Sequence, residues 1–329
     1  MSAPLYLGLI LGGIVILLIG GDALVRGGAG LARKWKLPPL LVGLTIIAFG
    51  TSAPELVVSA QSALSGAPGL ALGNIVGSNI ANFLLVLGLP AIFGPITTTT
   101  SGVRRNALIA LGAAAAIIIV SWDRQITMGE GVALFAGIVI YILMLAAQAR
   151  SNKDDPTIAE MTDLDGMDGL PAKWPGILFA TLLGILLLPA GAHMIVIGGT
   201  EAARALDVDE SIIGLTALAF GTSLPELATV IMSSIRRHAQ LALGNVLGSN
   251  IFNVFAVGGV TGIAAGAVGI DLPVPEGFFS LDFWVMAASS LVIAGLVFAR
   301  QPITRLIGAG LFIAYIAYIA VLGRAMLHI

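Results

Sequence analysis

The chain has 329 residues, 57% hydrophobic and 10% charged, with a mean hydropathy of +1.01 and a formal net charge of −2. Soluble domains carry about a quarter charged residues, so this composition excludes an ordinary water-soluble globule or a nucleic-acid-binding protein and makes the lipid bilayer the solvent. There is no cysteine, which excludes disulfides and thiolate metal ligands.

A helix needs about 20 predominantly apolar residues to cross the hydrocarbon core. Ten such runs are predicted, at 5–31, 38–63, 71–93, 105–121, 127–149, 174–203, 210–235, 241–265, 281–299 and 304–327. The first begins Met1-Ser2-Ala3-Pro4 with no basic stretch before it and is too long for a signal-peptide core, so it reads as a retained helix. With ten spans the loops alternate sides. One side collects Arg33, Lys34, Lys36, Arg104, Arg105, Arg150, Lys153, Lys173, Arg236, Arg237, Arg300 and Arg305; the other has Arg124, Arg204 and Arg324. The richer side is expected in the cytoplasm, which places both termini outside a multi-pass plasma-membrane protein. The link 150–173, with Asp154, Asp155, Glu160, Asp163, Asp165 and Asp168, is expected to be a solvated acidic cytoplasmic linker, because its spacing does not fit a calcium loop.

The second span contains "GLTIIAFGTSAPEL" at 43–56, and the seventh contains "GLTALAFGTSLPEL" at 214–227. A shift of 171 positions aligns 43–88 with 214–259 without a gap, with 24 identities in 46 positions. This is an internal repeat. Each half holds five spans, an odd number, so the second half enters the membrane from the opposite face. The predicted fold is all-α, ten transmembrane helices as two inverted five-helix repeats, at 1–149 and 174–329 around the linker 150–173.

Within the repeats, Pro54 and Pro225 lack the N–H that a helix interior needs and are expected to break their helices, freeing the carbonyls of Gly50 and Gly221. Helical spacing puts Ala48, Ser52 and Glu55 on one face and Ala219, Ser223 and Glu226 on its counterpart. Thr51 and Thr222 share a turn with the acids, and Ser78 with Asn82, and Ser249 with Asn253, are i,i+4 pairs on the following spans. A carboxylate at mid-membrane costs about 2.5–3.5 kcal/mol, and the repeat imposes that cost twice, so Glu55 and Glu226 read as functional. The inventory is all oxygen: carboxylates, amides, hydroxyls and freed carbonyls. Such a set suits a hard cation, and Ca²⁺ with about 6–8 oxygens fits better than Mg²⁺ or Zn²⁺. Asn74, Asn79, Asn245 and Asn250 are expected to tie helices together, and Asp22, His193, Gly73-x-x-x-Gly77 and Gly244-x-x-x-Gly248 to serve packing.

At "GLTIIAFGTSAPEL…GNIVGSNIAN" and "GLTALAFGTSLPEL…GNVLGSNIFN" the chain resembles the cation/calcium antiporter superfamily, specifically prokaryotic sodium/calcium exchangers with two alpha-repeats. The resemblance implies four intramembrane cation sites, one preferring Ca²⁺ and others Na⁺, with exposure alternating as the first and sixth helices slide across the core. Carried over by position, the implied ligands are Ala48, Thr51, Ser52, Glu55, Ser78, Asn82, Ala219, Thr222, Ser223, Glu226, Ser249 and Asn253, the alanines and threonines largely through backbone carbonyls. Family members often have aspartate in one or both of the positions of Asn82 and Asn253. The implied function is antiport of Ca²⁺ against Na⁺ by alternating access, without a cofactor. The proton-coupled branch, with "GNxxE" where this chain has "GTSxPE", is the alternative. A cation channel is a further rival. An intramembrane enzyme lacks parts, since His193, His238 and His328 form no H-E-x-x-H.

Overall fold

A computed structural model describes residues 3–100, 102–151, 171, 173–205, 221–236 and 238–327. The described chain is helical apart from a two-residue antiparallel ladder. Its elements are α1 (Ala3–Trp35), α2 (Pro39–Thr51), α3 (Ala53–Leu64), α4 (Pro68–Phe93), α5 (Val103–Val120), β1 (Gln125–Ile126), α6 (Met128–Ser151), α7 (Trp174–Ala205), α8 (Leu224–Ile235), α9 (Gln240–Ala267), β2 (Leu272–Pro273), α10 (Phe278–Phe298) and α11 (Arg305–Leu327). Among the described residues, eight helices are long and apolar enough to cross a membrane, and the bent pair α2 and α3 makes a ninth candidate span. Helix α8 is the described part of the predicted span 210–235; its residues 210–220 and most of the linker 150–173 lie outside the described residues.

Helices α4 and α9 form the buried centre, while α1, α6, α7 and α11 expose most of their apolar surface, the face a bilayer covers. Helix α1 has 33 residues, roughly 50 Å at 1.5 Å per residue, which exceeds the ~30 Å hydrocarbon thickness and requires tilt or protrusion.

Two connections order the ends of the bundle. Strand β1 pairs with β2, Gln125 opposite Pro273, and Ile96 bridges Ile303 through reciprocal backbone bonds of 3.0 and 2.9 Å. Helix α5 therefore runs from the Ile96 bridge to the ladder, and α10 from the ladder to the bridge. These two packed helices run in opposite directions.

Helices α1 and α7 pack along a stripe that sequence inspection passed over. Gly13, Gly20 and Gly27 are spaced by seven, as are Gly184, Gly191 and Gly198. A Cβ at Gly13 would stand 2.7 Å from the Gly191 carbonyl, and one at Gly191 2.8 Å from the Gly13 carbonyl, so the two backbones touch. Helix α2 meets α9 in the same way: Cβ atoms at Gly244 and Gly248 would each lie 2.7 Å from carbonyls of α2, at Leu40 and Leu44. For Gly73 and Gly77 the packing expectation finds no partner, since no atom among the described residues comes within 4 Å of a Cβ there.

Candidate cation site

The first motif helix breaks at Ser52, and in the second motif a helix likewise starts directly after Ser223. Ser52 leaves the helical region at φ −89°, ψ 6°, and Ser223, at φ −86°, ψ −2°, is the N-cap residue of α8. Pro54 and Pro225 then occupy the second position of α3 and α8, where a missing N–H costs nothing. The axis bends by 45° between α2 and α3. Glu55 and Glu226 consequently stand in the first turn of a new helix, near its positive end.

Eleven of the twelve expected ligands are described, and all eleven are buried; Ala219 lies outside the described residues. Both glutamates are 0% exposed. Contacts across the halves connect them. Ser52 Oγ donates to Glu226 Oε1 at 2.9 Å, and Ser249 Oγ donates to the same oxygen at 3.4 Å. Ser249 also meets Thr51 Oγ1 at 3.4 Å, and Asn253 Nδ2 donates to Ser78 Oγ at 2.9 Å. Asn82 Nδ2 donates to Asn250 Oδ1 at 2.9 Å.

Asn74, Asn245 and Asn250 tie the halves together as expected, whereas the Asn79 side chain donates to the Ile75 carbonyl of its own helix at 2.7 Å. Thr51 Oγ1 donates to Asn245 Oδ1 at 3.2 Å, and Thr222 Oγ1 to Asn74 Oδ1 at 3.1 Å, the same pair displaced by 171 residues. Asn250 Nδ2 donates to the Asn79 carbonyl at 3.2 Å. Ser59, which accepts from Asn74 Nδ2 at 2.8 Å, was missed; its position one turn after Glu55 in an apolar segment was the available signal.

What remains unpaired defines the chemistry. Both oxygens of Glu55, Oε2 of Glu226, Oδ1 of Asn82 and of Asn253, and Oγ of Ser223 are buried without a hydrogen-bond partner among the described residues. All six can accept or coordinate. Neither glutamate has an ion-pair partner among the described residues. Two uncompensated buried carboxylates are strongly unfavourable unless a cation or a bound proton neutralises them. Among the described residues no three His, Cys, Asp or Glu converge, so neutral oxygens must complete any shell, as a hard cation prefers. A cavity of about 650 Å³, lined in part by Pro54, His193, Thr222 and Pro225, lies beside the broken turns. Asp22 instead pairs with Arg26 at 2.8 Å and with Arg236.

The chain matches the family described as sodium/calcium exchanger protein over residues 5–148 and 176–323, one segment for each half. It belongs to the sodium/calcium exchanger family. It is thus a membrane antiporter and, by family, a transporter of Ca²⁺. The inner membrane protein YrbG of Escherichia coli (strain K12) is 34% identical over 300 residues, covering 89% of each chain. Sodium/calcium exchanger MaX1 of Methanosarcina acetivorans is 28% identical over 341 residues, covering 94% of this chain and 96% of its own. Among solved structures, the sodium-calcium exchanger NCX_Mj soaked with 100 mM Na⁺ and 10 mM Sr²⁺ superposes with a TM-score of 0.79 at 29% identity, over 97% of this chain and 99% of that one.

Proposed function

We propose that this antiporter exchanges Ca²⁺ for Na⁺ across the plasma membrane by alternating access, the cations binding near mid-membrane between Glu55 and Glu226. The observation that carries this reading is the set of buried, unpaired acceptor oxygens around two carboxylates that have no cationic partner. Ligands are drawn from Ala48, Thr51, Ser52, Glu55, Ser78 and Asn82 and, in the second half, Ala219, Thr222, Ser223, Glu226, Ser249 and Asn253. The site charge of −2 is neutralised by one Ca²⁺, and several Na⁺ take its place at the same oxygens.

The architecture of this reading is ten helices in two inverted halves, 1–149 and 174–329, joined by a cytoplasmic linker at 150–173, with both termini outside. The opposite directions of α5 and α10, and the repeated Thr–Asn contacts, support the inversion. Alternating access is carried by α1 and α7 sliding across the core as one unit, held to each other by the backbone contacts along their glycine stripe. The cavity beside Pro54 and Pro225 then serves as a path from one face to the site.

The test is ⁴⁵Ca²⁺ flux into proteoliposomes with Na⁺, K⁺ or H⁺ gradients imposed one at a time. Uptake driven by an outward Na⁺ gradient supports the assignment. Uptake that follows the pH gradient and ignores Na⁺ assigns the proton-coupled alternative, and non-saturating flux without counter-ion dependence assigns a channel.

A further inference from the structure

Around the site the two halves are so alike that one difference has a clear physical consequence. Asn74 and Asn245 occupy equivalent positions, and each accepts from a threonine of the opposite half through Oδ1. The nitrogen ends differ. Asn74 Nδ2 donates to the backbone carbonyl of Glu55 at 3.1 Å and to Ser59 Oγ at 2.8 Å. Asn245 Nδ2 is buried and has no partner among the described residues. The residue equivalent to Ser59 is Val230, fully buried and unable to accept a hydrogen bond.

The carboxylates differ in the complementary sense. Glu55 has its main chain held to α4 by Asn74, while both of its carboxylate oxygens lack a donor. Glu226 has its carboxylate held by Ser52 and Ser249, while the Asn245 amide nitrogen that would hold its main chain makes no hydrogen bond among the described residues. One acid is fixed through its backbone and the other through its side chain. A ligand must be held to within about 0.5 Å to act, so some anchor is required in each case.

We propose that Ser59 and Asn74 are positioning residues for Glu55: Ser59 orients the Asn74 amide, and that amide fixes the main chain from which the otherwise unanchored carboxylate reaches the cation. The inference rests on the reading of Glu55 as a Ca²⁺ ligand. It predicts that the two halves respond unequally to equivalent substitutions. Ser59→Ala leaves a buried amide donor without its acceptor and lets Asn74 turn away, whereas Val230→Ala has no hydrogen bond to remove.

The experiment is Na⁺-driven ⁴⁵Ca²⁺ uptake by the full chain in proteoliposomes, with KM for Ca²⁺ and maximal rate measured separately. Ser59→Ala is expected to raise KM roughly tenfold, the scale of one unsatisfied buried donor, with the maximal rate kept. Ser59→Thr retains the hydroxyl and restores the wild-type KM, which a loss of mere packing would not explain. Ser59→Cys, a weaker acceptor, gives an intermediate KM and serves if the alanine variant does not fold. Val230→Ala keeps the wild-type KM. A Ser59→Ala protein with unchanged KM, or a raised KM that Ser59→Thr does not reverse, overturns the positioning role alone. Wild-type protein that moves no ⁴⁵Ca²⁺ overturns the transport reading beneath it.

Discussion

Ser52 donates a hydrogen bond to Glu226 across the boundary between the two halves, at 2.9 Å, while the hydroxyl of its repeat mate Ser223 has no partner among the described residues and does not bond Glu55. The two motifs therefore diverge at the atoms that meet a cation. Glu55 offers two unpaired oxygens and Glu226 one.

That geometry makes charge, rather than shape, the property that each glutamate contributes. Glu55→Gln and Glu226→Gln keep size and one acceptor oxygen, replace the other oxygen by an amide donor, and halve the site charge. Each is expected to abolish ⁴⁵Ca²⁺ uptake while the protein elutes as a single folded species with an equal or higher melting temperature, because the variant buries one charge fewer. Retained uptake in a folded glutamine variant would remove that residue from the ligand set.

The membrane orientation is open to labelling, because the chain has no native cysteine. Ser65 lies between α3 and α4, and Asp271 lies beside β2. Cysteines placed there should react from outside with a membrane-impermeant maleimide, and a cysteine at Asp163 only after permeabilisation. The reverse pattern would invert the arginine and lysine argument.

The apolar spans, the repeat, the two acids and the proline breaks were all readable in the sequence, because each follows from composition or from a residue whose backbone chemistry is fixed. Four π-helical turns among the described residues were not: Gly43–Ile47, Asn82–Val86, Asn253–Gly258 and Phe278–Asp282. A π turn has no local sequence code; it forms where tertiary contacts demand one extra residue. Asn82 and Asn253 each open such a turn, and their bonds run to Asn250 and Ser78 in the opposite half. The Asn74 and Asn245 contacts were anticipated as ties but not their inequality, which depends on Val230, fifteen positions before Asn245 and recognisable only once the two helices are packed.

Asp22 of α1 pairs with Arg236 at the end of α8, with both side chains about a quarter exposed. The equivalent positions are His193 and Ser65, which make no such pair, so this tie exists in one half only. If α1 slides during exchange, the pair favours the arrangement described here by about 1 kcal/mol or less, the scale of a partly exposed ion pair. Arg236→Gln is expected to change the ratio of apparent Ca²⁺ affinities at the two faces by up to about fivefold. Matched right-side-out and inside-out vesicles measure this ratio, and an unaltered ratio would show that the pair has no part in the transition.

Coupling follows from the same charge count. Glu55 and Glu226 are the only formal charges among the twelve proposed ligands, so bound Ca²⁺ gives a neutral site, whereas three Na⁺ give a net charge of +1. With three Na⁺ exchanged per Ca²⁺, one charge crosses per cycle, and 100 mV contributes roughly 2.3 kcal/mol to the driving force. An outward Na⁺ gradient should then drive Ca²⁺ uptake into proteoliposomes faster when valinomycin sets a positive-inside potential, and slower when the potential is reversed. Uptake indifferent to voltage would instead mean two Na⁺ per Ca²⁺. Asn253→Asp sharpens the test, because it replaces a neutral oxygen by a titratable one and removes the donor now bonded to Ser78. At pH values where the new carboxylate is ionised, the site carries −3 and the Ca²⁺-loaded form −1. The variant should therefore show a changed voltage sensitivity that returns toward wild type as the pH falls and the aspartate takes up a proton. A voltage response identical to wild type at every pH would place Asn253 outside the charge-carrying shell.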